Sequence, residues 1–109
     1  KRDFTYIDDI INGIILLFEK ICNKSINGAE VLNIGKGNPE SLLRFIELIE
    51  INLNKKIKKK FVNEQPGDVA VTFADITKLN NYISFTPHIK LEEGLKAFTE
   101  WYLKYYKNK

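Results

Sequence analysis

Four groups of residues in this 109-residue sequence have types and spacing suited to chemistry. Gly35-Lys36-Gly37 stands between an apolar run and a helical pattern, where main-chain N–H groups could meet a phosphate. The third glycine of a dinucleotide-binding turn is missing; Glu40 takes its place, and a carboxylate beside a pyrophosphate is repulsive. A tight strand-to-helix turn is the better reading. Arg2 precedes an alternating segment, Phe4-Thr5-Tyr6. A guanidinium can clamp a phosphate through two parallel hydrogen bonds; the plain alternative is a surface ion pair with Asp3. Gln65-Pro66-Gly67-Asp68 joins a neutral hydrogen-bonding side chain to a carboxylate that can accept from both hydroxyls of a vicinal diol. Its alternative is a turn in which Asp68 caps its own backbone. Tyr105 and Lys109 have the Tyr-x-x-x-Lys spacing of an acid/base pair. Tyr105, however, lies in an apolar stripe within a lysine-rich tail, and the match is read as chance.

Other chemistries are excluded or disfavoured by composition. Cys22 is the only cysteine, so no disulfide framework exists and a reducing, cytoplasmic setting is expected. One cysteine and one histidine (His88) cannot build a structural zinc site. The net charge of +3 is concentrated in Lys55, Lys56, Lys58, Lys59 and Lys60 and in the tail. Such runs can contact nucleic acid. No aromatic residues interleave them, so a solvated edge is preferred over a nucleic-acid site. The longest apolar stretch, Ile14 to Phe18, is too short to span a bilayer. The start at Lys1-Arg2-Asp3 and the lack of methionine suggest a piece of a longer protein.

The elements that must position these groups follow from periodicity. Residues 7–22 carry apolar positions at helical spacing, with Asp8 and Asp9 in the first turn. Residues 30–34 read as a short strand. A second helix is expected from Pro39 to about Leu53, with Asn38 as N-cap and Pro39 at its first position. Leu42, Leu43, Phe45, Ile46, Ile49 and Leu53 form its expected buried side. Residues 57–62 look like a strand and 69–73 like an extended segment. A short helix is expected over 75–82, capped by Asp75. A last helix is expected over 91–106, with Leu91, Leu95, Phe98, Tyr102 and Tyr105 on one face. Asn27-Gly28 marks a turn. The expectation is one small α/β domain over residues 1–109, with three main helices and short strands.

Taken in order, several motifs resemble one family. Arg2-Asp3-Phe4-Thr5-Tyr6-Ile7-Asp8-Asp9-Ile10, Asn33-Ile34-Gly35-Lys36-Gly37-Asn38-Pro39, Gln65-Pro66-Gly67-Asp68-Val69, Ala74-Asp75, Leu91-Glu92-Glu93-Gly94-Leu95 and Trp101-Tyr102 are similar to successive segments of extended short-chain dehydrogenase/reductases acting on nucleotide sugars. Within that family the likeness is greatest to the carboxyl-terminal part of UDP-glucuronate 4-epimerases of the capsular-polysaccharide type. The resemblance implies that an amino-terminal Rossmann domain, not matched here, holds NAD and the catalytic residues. This portion would grip the nucleotide of a UDP-sugar and bind no cofactor itself. Carried over, Arg2 would contact the diphosphate and Asp68 the ribose hydroxyls. Asn38 resembles a nucleotide-contacting position. Gln65 stands where the galactose-epimerase branch would place an arginine, which favours the glucuronate branch. A 4,6-dehydratase or reductase of the same family remains an alternative, as does a non-enzymatic basic module. An apolar face that would meet the Rossmann domain is expected to promote homodimers.

Overall fold

The apolar repeat of residues 7–22 folds as expected into α1 (Ile7–Cys22) in the computed structural model, which describes residues 1–23, 28–63 and 65–107. Its first turn carries Asp8 and Asp9. Three more helices follow: α2 (Leu42–Leu53), α3 (Thr77–Ile83) and α4 (Leu91–Lys107). Before α3, Asp75 Oδ1 accepts a hydrogen bond from the Thr77 N–H at 2.9 Å, but the helix begins only at Thr77 with Ile76 as N-cap and no side-chain cap, so the expected helix over 75–82 capped by Asp75 is corrected on both counts. The Thr77 N–H and hydroxyl hold the Asp75 carboxyl below its ordinary pKa.

α2 starts later than expected. Glu40 and Arg2 exchange two main-chain hydrogen bonds of 2.9 Å each, forming an isolated antiparallel bridge. That bridge keeps residue 40 extended, so the helix cannot begin at Pro39. Ser41 is the N-cap, its hydroxyl accepting from the Leu43 N–H at 3.2 Å. Asn38 is therefore not the N-cap of α2; its Nδ2 donates to Glu40 Oε1 at 3.2 Å. The buried side is also rotated: Leu48 is buried, whereas Leu42 and Leu43 are more than half exposed.

The expected strands are the larger correction. Among the described residues no strand forms. Residues 30–34 are extended, yet they have no ladder partner, and a strand needs its N–H and C=O groups paired. They are tied down by side chains: Asn33 Nδ2 donates to the Asp75 carbonyl at 3.2 Å, and Glu30 pairs with Lys78 of α3. Residues 57–62 lean on Glu50 rather than on a neighbouring strand. Phe61 and Val62 remain 78% and 69% exposed. Among the described residues the architecture is thus four helices joined by extended connections. Of the Asn27-Gly28 turn, Asn27 lies outside the described residues, as does Lys109 of the Tyr105/Lys109 pair.

Among the described residues α2 packs on α4 and α1 packs on α3, with no direct helix-to-helix packing between the two pairs. The fully apolar core is correspondingly small: Leu48 and Leu95 in one pair, Leu79 and Ile83 in the other. The radius of gyration is 17.2 Å, against about 13 Å for a closed domain of this length. The molecule is a slab measuring 51 × 39 × 22 Å. On α1, Ile7, Ile11, Ile14, Ile15, Phe18 and Ile21 are each 45% exposed or more. The expected apolar face of α4 is buried at Leu95, but Phe98, Tyr102 and Tyr105 are exposed. Among the described residues no helix is long and apolar enough to cross a membrane.

Candidate nucleotide-binding site

Residues 2–6 alternate between two environments, as an extended chain must. Phe4 and Tyr6 face apolar surroundings. The Phe4 ring stacks on Phe45 of α2, with centroids 4.4 Å apart. Tyr6 lies against Gly94 of α4, so closely that a Cβ on that glycine would sit 2.9 Å from the Tyr6 ring. Asp3 and Thr5 face main chain instead. Asp3 Oδ2 accepts from the Gly37 N–H at 3.0 Å and from the Ala74 N–H at 2.9 Å. The Asp3 N–H donates to Thr72 Oγ1 at 2.9 Å, and Thr5 Oγ1 accepts from the Lys36 N–H at 3.0 Å.

These bonds decide the role of the Gly35-Lys36-Gly37 turn. The N–H groups of Lys36 and Gly37 are already engaged, and a carboxylate occupies the position where a pyrophosphate would have to lie. The turn therefore does not fit NAD, and it serves as a structural turn. Gly37 adopts φ +68°, in the left-handed region that glycine tolerates. Gly35 is required for a different reason: a Cβ there would fall 2.5 Å from the Ala74 Cβ.

The candidate ligand-contacting residues lie around this junction. Arg2 is half-buried, and its Nη1 donates to the carbonyls of Lys1 at 2.9 Å and Val69 at 2.6 Å. No ion pair with Asp3 forms among the described residues. Arg2 is thereby joined to the loop that carries Gln65 and Asp68, and its bridge to Glu40 brings in the chain next to Asn38. Among the described residues only Nη1 of the guanidinium is engaged, which leaves a planar edge of donors for an anion. The 65–68 loop is a tight turn: the Asp68 N–H donates to the Gln65 carbonyl at 3.0 Å, and Gly67 has φ +93°. Asp68 Oδ2 accepts weakly from the Gln65 N–H at 3.4 Å, and Gln65 Nε2 donates to the Asn63 carbonyl at 3.2 Å. Both side chains are exposed.

Three carboxylates have roles that sequence reasoning missed. Asp3 organises the junction; the period-two alternation of residues 2–6 was its signal. Asp9 was read as a helix-dipole residue but is fully buried. Its Oδ2 accepts from the Ile89 N–H at 2.8 Å, with His88 Nδ1 3.3 Å from Oδ1. Glu50, also buried, accepts from Lys59 Nζ at 2.7 Å and the Ile57 N–H at 2.8 Å, and Lys56 lies 3.6 Å away. The Lys59 bond, followed by the Ile57 N–H, holds the Glu50 carboxyl down at about 2. Two lysines of the basic run thus serve an internal carboxylate. Among the described residues no group of three or more His, Cys, Asp or Glu side chains could hold a metal ion.

No protein-family model matches the sequence. The chain superposes on the UDP-glucuronic acid 4-epimerase of Bacillus cereus, whose structure holds UDP-glucuronic acid and NAD. The TM-score is 0.81 with 36% identity, over 95% of this chain and 32% of that one. The chain is a homologue of the extended short-chain dehydrogenase/reductases that epimerise nucleotide sugars. The curated relatives it matches include UDP-glucuronate 4-epimerases. It is 42% identical over 101 residues to the enzyme of that name from Thermodesulfobacterium geofontis, covering 92% of this chain and 29% of the relative. It is 40% identical to protein CapI of Staphylococcus aureus in an alignment of 119 positions, covering 97% of this chain and 36% of that one. The chain therefore spans about a third of the length of the relatives it matches.

Proposed function

We propose that this chain is the carboxyl-terminal, nucleotide-gripping part of a NAD-dependent UDP-glucuronate 4-epimerase, supplying substrate binding and not catalysis. The observation that carries the reading is the junction of Arg2 with the 65–69 loop: Nη1 of Arg2 lies 2.6 Å from the Val69 carbonyl, one residue beyond Asp68. Residues nearly 70 positions apart in sequence are thus tied together, with a guanidinium edge on one segment and the exposed Asp68 one residue from the point of contact on the other. Arg2 takes the diphosphate and Asp68 the ribose hydroxyls, while Gln65 and Asn38 add neutral hydrogen bonds. NAD belongs to the part of the enzyme with no counterpart in this chain, because the glycine turn here is closed by Asp3 and Thr5. Gripping the remote nucleotide helps to hold the reacting sugar carbon in place, so this portion contributes to rate without touching the reacting atoms.

The exposed apolar face of α1 supports the same reading. Six large side chains along one helix face call for a cover. In the full enzyme the cofactor-binding part supplies it. For the chain by itself, a second copy does.

Titration of UDP into the isotope-labelled chain, followed by amide NMR, tests the proposal. Shifts confined to Arg2, Asn38 and Gln65–Asp68 are expected. A well-dispersed spectrum unmoved by millimolar UDP would refute the half-site.

A further inference from the structure

We infer that Asp3 is the positioning residue of this half-site, a role that rests on the nucleotide-gripping reading above. Its carboxylate joins the three chain segments that carry Arg2, Asn38 and the 65–69 loop. Asp3 adjoins Arg2 directly. One oxygen, Oδ2, accepts from Gly37, the neighbour of Asn38, and from Ala74, at separations of 34 and 71 residues. The Asp3 N–H adds a third tie, to Thr72 Oγ1, on the segment that leads back to Val69. A single atom that accepts two N–H groups fixes the distance between their segments, and the negative charge strengthens both bonds. Gly35 shows how tightly the junction closes, since a Cβ there would lie 3.2 Å from Asp3 Oδ2 as well as 2.5 Å from the Ala74 Cβ. Among the described residues no cation pairs with Asp3. Its carboxylate therefore acts on main chain rather than as the partner of Arg2.

The geometry sets the outcome of two substitutions. Asp3→Ala removes the acceptor and separates the segments while leaving the helices in place. Asp3→Asn keeps an oxygen that can accept both bonds, without the charge, and restores most of the junction. In amide hydrogen exchange without ligand, Gly37 and Ala74 should exchange at least about tenfold faster in Asp3→Ala, the scale of losing charge-assisted hydrogen bonds. Lys36, held by Thr5, should change little. UDP affinity should fall by roughly ten- to a hundredfold in Asp3→Ala on the same scale, with helical circular dichroism retained, and should largely return in Asp3→Asn. Unchanged exchange at Gly37 and Ala74, unchanged UDP affinity in Asp3→Ala, or an Asn variant no better than Ala would each overturn the inference. If Asp3→Ala does not fold, the Asn variant decides: protection at Gly37 and Ala74 should drop severalfold with Lys36 unaltered, and equal loss at all three would count against the role. A wild-type chain that ignores UDP would remove the half-site reading, while the exchange data would still decide the clamp.

Discussion

Replacing Gly35 by alanine should cost roughly 2.5–6 kcal/mol of stability, a range built from two effects. The new Cβ would lie 2.5 Å from the Ala74 Cβ, whereas carbon atoms in contact sit about 3.5–4.0 Å apart. One of the two segments must therefore move by roughly 1 Å. Overpacking of this kind costs about 1–3 kcal/mol. Ala74 cannot retreat freely, because its N–H is held by Asp3 Oδ2 at 2.9 Å. Breaking that bond adds about 1.5–3 kcal/mol, the range for hydrogen bonds to charged groups. Urea unfolding followed by helical circular dichroism measures the change. The second substitution Ala74→Gly removes the atom responsible for the clash, so Gly35→Ala with Ala74→Gly should recover more than half of the loss. A single variant within about 0.5 kcal/mol of the parent, the usual effect of a surface change, would refute the reasoning. So would a double variant as unstable as the single one.

Glu50→Gln should flatten the acid limb of the stability curve. With its folded pKa lowered to about 2, mainly by Lys59 and then by the Ile57 N–H, Glu50 stabilises the fold fully above the ordinary carboxyl value of 4.5. That contribution is lost as the pH falls from 4.5 towards 2, so the parent's urea midpoint should drop across this window and the variant's should drop less. Arg2→Ala should weaken UDP binding by at least about tenfold, read by calorimetric or NMR titration, and Arg2→Lys should restore only part of it because the planar fork is lost. Sedimentation velocity should show self-association of the isolated chain that increases with concentration. Ile14→Asn with Phe18→Ser on the exposed α1 face should reduce it; a monomer at all concentrations would show that the face needs no cover.

Local signals located the helices because α1 and α4 depend on repeats within the chain's own neighbourhood. The limits of α2 were misjudged because they depend on a bridge between Arg2 and Glu40, 38 residues apart, that no local pattern encodes. The expected strands at 30–34 and 57–62 show the same limit from the other side. Their composition is β-like, but a strand is a relation between two segments, and the described residues supply no second one. In the candidate site, Arg2, Gln65, Asp68 and Asn38 were legible as residue types, whereas their convergence was not. Asp3 and Asp9 illustrate why. A carboxylate next to an arginine reads as an ion-pair partner, and one in a first turn reads as a dipole cap. Both are in fact main-chain acceptors, serving N–H groups at least 34 residues away.

The separation of α1 with α3 from α2 with α4 has a consequence for how long the chain survives in a cell. Two helix pairs with two buried apolar side chains each are weakly cooperative units, and the segments that link them are the ones proposed to hold the nucleotide. A ligand that binds only the assembled junction would stabilise it by about 2.7 kcal/mol at a hundred times its dissociation constant. Nucleotide supply would then govern the lifetime of the folded chain as well as its occupancy, so that protease resistance would rise and fall with the concentration of the sugar nucleotide.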